Sequence, residues 1–517
     1  MNGELYQVND NGATVTYTYD GAGNLLSETE SNGFTKTYTY DTRGNREQYT
    51  LTRNGTTITV GSYVYNNEGY MVTYVEGSAI VAYQYDNNGN RTSANNITTG
   101  VTTTYTYNNA NLVTSFSNAK SGTVLSSGTY AYNTDGNQRQ KTELGVTTTY
   151  TYDGAGRLTS ENSANGNISY GYDARGNRTS MTRGSTTTTY AYDLNNRLLS
   201  ETTGTTVKNY TYDVDGNTLT AGNESYTYDV RNRQIGYTDG TTTASYAYNP
   251  KGLRSQKTVG GATKYFVWDG MNIVYEYDAS AGTAYYYGLH RVSEGNSRYY
   301  LYNAHSDVVQ LTDGTGAVTK SYAYDAFGNE VNPSANDTNP FRYCGEYYDV
   351  ETGTIYLRAR YYDPTTGRFT QQDAWQYYDN SNLLRLNLYT YCYNNPVRYI
   401  DPDGTIPLDV IPDAVSVIYS LWKLIDEPNK EHALNLVWDI AALALPYAVG
   451  SYVTKVDDVV DVVRGIDRAD DAIDAAKPAY GQWTLLIADG KLNVDLVDGV
   501  TISRLLTGQI WIRRQEH

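Results

Sequence analysis

The chain has 517 residues, a formal net charge of −17 and a pI near 4.7. That length accommodates two or more domains and a large core, and the acidic balance excludes a general nucleic-acid binder, which presents a basic face. Mean hydropathy is −0.58, but the polar residues are mostly Thr, Asn and Gly, and there are 56 tyrosines, which is the chemistry of strands and turns rather than of a disordered acidic tail.

At the N-terminus, MNGELYQVND has neither a basic n-region nor an apolar h-region, so no signal peptide is expected in this stretch. From residue 17 one motif recurs: YTYDGAGN (17–24), YTYDTRGN (38–45), YQYDNNGN (83–90), YTYDGAGR (150–157), YGYDARGN (170–177), YAYDLNNR (190–197) and YTYDVDGN (210–217). Weaker copies include YVYNNEGY (63–70), YAYNPKGL (246–253) and YAYDAFGN (322–329), and most steps between copies are 20 to 22 residues. Tyr-x-Tyr ends a strand with two rings on one face, because side chains alternate with period two. Asp-x-x-Gly-Asn is a turn in which Asp bonds its own backbone and Gly or Asn supplies a positive φ. The unit is therefore a β-hairpin, and since one hairpin cannot bury its aromatic face, the copies must join into a continuous, curling sheet. From the repeat alone, a fibrous array whose rings only pack or stack on sugars stands as the alternative.

Tyr-Asp repeats of this form resemble the RHS/YD-repeat family, over about residues 14–404. The resemblance is most specific in YYLYNAHSDVVQLTDGTGAVTKSYAYDAFGN (299–329), with its H-x-D turn, in PFRYCGEYYDVETGTIYLRARYYDPTTGRFTQQD (340–373) and in LNLYTYCYNNPVRYIDPDG (386–404). The ordered trio of ARYYDP, GRF and NNPxxxxDPxG is similar to the RHS-associated core. The resemblance implies that repeats at 14–285 wind into a hollow β-shell, that a core at 286–404 closes it, and that a variable C-terminal domain at 405–517 is held inside. In bacterial members that domain is often a toxin, and the core often cuts the chain just downstream of DPxG; animal relatives are adhesion receptors.

Peptide cleavage needs an activated water and a protonated carboxyl together, and two aspartates sharing one proton supply both. By resemblance the pair is Asp373, closing GRFTQQD, and Asp401, opening DPDG, with Arg360 holding a carboxylate ionised and oriented. Asp403 occupies a variable position of the family motif and is the weaker candidate. The scissile bond is expected between about Gly404 and Val410. Two departures bear on its place: Thr405 stands where Leu is common, and DNSNLLR (379–385) resembles an insertion. The same residues have a structural reading, in which DPTTG (363–367) is a turn, Phe369 a core ring, and Arg358 and Arg360 partners of carboxylates in the wall.

Cys344 and Cys392 either pair or stand as two buried thiols. His290, His305, His432 and His517 form no pair and no Cys/His cluster in the sequence, so no metal site and no cofactor is expected.

Composition changes at residue 405, where Tyr and Thr thin out and Leu, Ile, Val, Ala and Asp rise. DAVSVIYSLWKLID (413–426), EHALNLVWDIAALAL (431–445) and KVDDVVDVVRGIDRADDAIDAAK (455–477) read as helices of a pre-toxin region spanning 411–477. The apolar run at 434–450 is short and broken by Asp439 and Pro446, so a buried helix is expected rather than a membrane span. Residues 482–514 alternate like strands joined at ADGK and VDGV, a small β-unit.

The expected fold class is mainly β: a spiralling Tyr-rich β-hairpin repeat shell followed by a small α or α+β C-terminal domain. The expected function is that of an RHS-type toxin carrier in bacterial competition, secreted or at the cell surface, releasing its effector by aspartate-dependent self-cleavage. Its partners are its own C-terminal domain and an immunity protein, and no nucleic acid binds the shell. The rival is an uncleaved adhesive surface protein binding glycans. No enzymatic activity is assigned to the payload. An array short for a closed shell, with no export signal, is what a fragment of a longer chain would show.

Overall fold

The computed structural model describes residues 6–10, 12–374, 387–405 and 407–409, together with the backbone of four strands between 483 and 514. It falls into two compact units, Met1–Leu436 and Val437–His517.

In the first unit 32 strands, from Gln7–Asp10 to Val318–Ser321, form one antiparallel meander in which each strand pairs with its neighbours in sequence. The hairpin expected from each Tyr-Asp copy is present, and its turn is held by the aspartate. In YGYDARGN, Asp173 Oδ1 accepts the N–H groups of Arg175 (2.9 Å) and Asn177 (2.8 Å), and Oδ2 accepts the Asn177 amide at 2.9 Å. Gly176 sits at φ +80°; where the copy has Asn instead, as at Asn196 and Asn232, it takes φ +63° and +60°. The Asn177 amide also reaches Asn196 Oδ1 of the next turn at 2.9 Å, so the turns are laced along the sheet edge. Asp173→Ala removes the clamp while leaving the strands intact. Hydrogen bonds to a carboxylate contribute about 1.5–3 kcal/mol, so the unfolding free energy should fall by that amount, read as a lower urea midpoint at unchanged slope, with faster amide exchange at Asn177.

The two tyrosines of each copy do different work. The first is buried: Tyr17, Tyr38, Tyr83, Tyr150, Tyr170 and Tyr246 all belong to the core. Its hydroxyl is met by a strand carboxylate in several copies, as from Tyr170 to Glu161 and from Tyr210 to Glu201, both 2.7 Å. A register shift falls just before the second tyrosine, as at Tyr19, Tyr40, Tyr152, Tyr172, Tyr192 and Tyr248. Such a bulge bends the strand and re-aims the side chain. The second hydroxyl then donates to the carbonyl of the residue that opens an earlier strand: Tyr152 to Gln138, Tyr172 to Leu158 and Tyr192 to Arg178, at 2.7 to 2.8 Å. Each of these second rings thus packs its apolar body and still satisfies its hydroxyl.

The meander winds back on itself. Buried Lys36 donates to the Trp268 carbonyl, Arg46 pairs with Asp269 at 2.5 Å, and Asn118 reaches the Tyr302 carbonyl at 3.3 Å. A second, four-stranded antiparallel sheet follows: Tyr347–Asp349, Thr354–Leu357, Arg360–Asp363 and Arg368–Phe369. Its buried Tyr356 and Tyr361 share one apolar cluster with Phe266, Trp268 and Tyr285.

The NNP segment runs across the laced turns. Asn394 donates to the Gly176 carbonyl, and Asn395 donates to the Gly156 carbonyl and to Asn137 Oδ1, each 2.8 Å. Tyr389 donates to the Gly216 carbonyl at 2.8 Å, and Arg398 to the Asp135 carbonyl at 2.8 Å. The core therefore docks on the same carbonyl position of three repeats, Gly156, Gly176 and Gly216, a position the hairpins themselves leave open.

In the second unit, Trp483–Ala488, Lys491–Leu496, Val500–Leu505 and Ile510–Arg514 form an antiparallel sheet, while the residues 489–490 and 497–499 of the expected ADGK and VDGV joints lie outside the described residues. The helices expected at 413–426, 431–445 and 455–477 lie outside the described residues. Among the described residues no helix is long and apolar enough to cross a membrane.

Candidate active site

The site is built where the DPDG turn meets the turn between Thr354–Leu357 and Arg360–Asp363. Arg358, at φ +62°, donates to the Pro402 carbonyl (2.6 Å) and the Met271 carbonyl (2.9 Å) and pairs with Glu346. The Ala359 N–H donates to the Asp403 carbonyl at 3.0 Å. Gly404 takes φ +77°, and a Cβ there would lie 2.7 Å from the Leu357 carbonyl, so only glycine allows this approach.

These contacts bring the three residues expected from sequence together. Arg360 Nη2 lies 2.9 Å from Asp373 Oδ2 and 3.8 Å from Asp401 Oδ2. Nη1 donates to the Leu388 carbonyl at 3.0 Å, and Nε donates to the Gly404 carbonyl. The guanidinium lies 3.6 Å from the centre of the Phe369 ring, which explains the Gly-Arg-Phe run: the aromatic face supports the cation. Asp401 Oδ1 accepts the N–H groups of Gly404 (2.9 Å) and Thr405 (3.0 Å). Asp403, the weaker candidate by sequence, is also present: its Oδ1 accepts the Thr405 N–H at 2.9 Å and the Thr405 hydroxyl at 2.8 Å. The structural reading of this run holds as well, since Asp363 clamps the DPTTG turn and Phe369 is a core ring.

The two candidate carboxyls differ. Asp401 is fully buried, and burial followed by the neighbouring Asp403 charge pushes its carboxyl well above the usual range, against the pull of Arg360. Asp373 is pushed up to about 6, by burial first, with Arg360 opposing. A raised folded-state value means that Asp373 favours the fold fully below its ordinary 3.8 and loses that contribution as pH rises through about 6. Burial thus raises both carboxyls, while Arg360 lies closer to Asp373 (2.9 Å) than to Asp401 (3.8 Å), so the two are held unequally. A cavity of about 690 Å³ opens beside them, lined by Arg360, Gln371, Gln372, Asp373, Leu388 and Thr405 among others.

One sequence expectation is overturned. His305 does join a Cys/His cluster: its Nδ1 lies 3.0 Å from Asp307 Oδ1 and 3.8 Å from Cys344 Sγ. The cysteine is 39 residues away, so no local spacing could show it. Of the two open readings for the cysteines, the free thiols are found. His290 is half-buried and stacked on Tyr302, its imidazole pushed down to about 3 by desolvation and then by Arg91. His432 and His517 lie outside the described residues.

A Tyr-Asp hairpin meander, capped along its turns by an NNP segment that ends in a buried Arg-Asp-Asp site, defines a class of repeat-shell protein. The chain matches the RHS Repeat family over residues 2–35 and 19–57, and the Teneurin YD-shell family over 59–184 and 274–397. It is 42% identical over 166 residues to the tRNA3(Ser)-specific nuclease WapA of Bacillus spizizenii, and 40% over 166 residues to the tRNA nuclease WapA of Bacillus subtilis. Each alignment takes in 30% of this chain but only 7% of the relative, so the match spans a small part of those proteins. The solved Tc holotoxin pore of Photorhabdus luminescens aligns with 76% of this chain and 21% of its own, at 19% identity and a TM-score of 0.47. The chain belongs to the RHS/YD-repeat family.

Proposed function

We propose that this chain is the carrier part of an RHS-type toxin, and that its core cuts the polypeptide after DPDG to free a C-terminal effector. The observation that carries the cleavage step is the shared guanidinium: Arg360 pairs Asp373 and holds the Gly404 carbonyl, while Asp401 takes the Thr405 N–H. The Gly404–Thr405 peptide is thus the bond of the 404–410 stretch that both groups already touch. Ionised Asp373 takes a proton from water, whose oxygen adds to the carbonyl carbon. Arg360 stabilises the negative charge that develops on the carbonyl oxygen. Protonated Asp401 gives its proton to the departing nitrogen as the C–N bond breaks. Enclosure of the payload by the shell, an immunity partner and a role in bacterial competition complete this reading. The WapA relatives, named as tRNA nucleases, support an enzymatic payload.

The glycan-binding rival needs rings on the outer surface. Among the described residues Tyr6 and Tyr70 are the exposed tyrosines, and the repeat rings are spent on packing and carbonyl bonds, which favours the carrier.

The test is the pH dependence of processing in the purified full chain. With Asp373 as the base, the rate should climb as pH rises from 5 through about 6 and then level off. Asp373→Asn should abolish the climb along with the cleavage. A rate indifferent to both pH and this substitution would remove the aspartate from the chemistry.

A further inference from the structure

The cluster at His305, Asp307 and Cys344 is not used by the cleavage site. Asp307 lies in the turn after Arg298–Tyr302, where Asn303 donates to its Oδ2 at 3.0 Å. Cys344 sits in a short 3-10 turn, Tyr343–Gly345, in the left-handed region at φ +52°, and its N–H donates to Asp307 Oδ1 at 3.0 Å. The imidazole, carboxylate and sulfur atoms all lie within 4.8 Å of one another.

Hydrogen bonding accounts for only part of this arrangement. An Asp–His clamp explains Asp307 and His305 Nδ1 but not the sulfur beside them, and when Nδ1 binds a ligand the enclosed Nε2, which has no partner among the described residues, is the nitrogen that carries the imidazole proton. The sulfur has only weak neighbours, His305 Nδ1 and the Tyr391 hydroxyl, each 3.8 Å away. His305 also lines a cavity of about 30 Å³ with Lys141, Glu143 and Asn303, room for a water.

We propose that His305, Asp307 and Cys344 bind a zinc ion. Tetrahedral zinc, with bonds of about 2.0–2.1 Å to nitrogen, 2.0–2.2 Å to oxygen and 2.3 Å to sulfur, needs N···O and N···S separations of roughly 3.3 and 3.6 Å. The observed 3.0 and 3.8 Å reach those values with small side-chain rotations. A thiolate, an imidazole and a carboxylate suit zinc and exclude calcium and magnesium, which take oxygen ligands. The thiolate and carboxylate together cancel the charge of the ion. The fourth position falls to a water or to the Tyr391 hydroxyl. The sulfur binds as the thiolate, so binding releases its proton to solvent. The ion joins the 303–307 turn to the turn at Cys344, both within the core segment and outside the proposed cleavage machinery.

The full chain, purified without chelator, should carry stoichiometric zinc by elemental analysis. After zinc removal, added Co²⁺ should give a thiolate-to-cobalt charge-transfer band. Cys344→Ser and His305→Gln should lose the zinc and the band, while Cys392→Ser should keep both. A wild-type chain that gives no thiolate band with Co²⁺ overturns the site whether or not the variants fold, and so does a band that disappears in Cys392→Ser.

Discussion

Asp349→Asn should lower the unfolding free energy of the first unit by about 3–5 kcal/mol, the cost of leaving a buried cation unpaired. Asp349 and Arg254 have no exposed side-chain surface, and Arg254 Nη1 lies 2.5 Å from Asp349 Oδ2. Lys257 reaches Asp349 Oδ1 at 2.7 Å and Glu351 at 3.1 Å, so two cations face two carboxylates with little exposed surface. The guanidinium is also ringed by Tyr246, Phe266, Tyr347, Tyr356 and Tyr361, 4.3 to 5.9 Å from its carbon. None of these rings can replace a lost carboxylate. The cluster ties the repeat strand Arg254–Val259 to the core strand Tyr347–Asp349, so its loss loosens the core from the meander. Burial would raise the Asp349 carboxyl, but Arg254 and then Lys257 bring it below its ordinary value. Its contribution is therefore present above pH about 4 and is lost as pH falls through the lowered folded value. Urea unfolding of wild type and Asp349→Asn measures the loss. Lys264→Ala, which removes a half-exposed partner of Glu276, should change stability by less than about 1 kcal/mol.

Arg360→Lys should slow processing by about 100- to 1,000-fold, the range for removing a charged donor from a developing oxyanion. The guanidinium makes four separate contacts at once: Asp373, the Gly404 carbonyl, the Leu388 carbonyl and the Phe369 ring. An ammonium is a single point charge and cannot hold two carbonyls and a carboxylate in one plane. The fold should survive, because lysine retains a positive charge beside Asp373. A time course of fragment appearance, with circular dichroism to confirm the fold, reads the effect. Processing at the wild-type rate would assign Arg360 to structure alone.

The repeat was legible because its physics is local. Tyr-x-Tyr alternation and the Asp-x-x-Gly-Asn clamp each lie within eight residues; the hairpin and its clamp are found as read, while the second ring is re-aimed. Arg360, Asp373 and Asp401 were legible through family resemblance rather than spacing, since 28 residues separate the two aspartates. The bulge before each second tyrosine was not legible: it shows only in the pairing with the neighbouring strand. Nor was the use of Asn394 and Asn395, whose turn carbonyls lie 218 and 239 residues earlier in the chain. Asp403 is the weaker candidate by sequence because its position varies in the family motif, yet its backbone carbonyl seats the DPDG turn and its carboxylate holds Thr405. His305 and Cys344 meet only through the winding of the core.

The most direct test of a self-cleaving carrier is the intact mass of the purified chain under denaturing conditions, wild type beside Asp401→Asn. The account predicts two wild-type fragments meeting between residues 404 and 410, at Gly404–Thr405, whose masses sum to the full chain plus one water, and a single unbroken chain for Asp401→Asn. An unbroken wild-type chain, or a mutant cut at the same place, would contradict it and leave Arg360, Asp373 and Asp401 as the buried fastening of the DPDG turn.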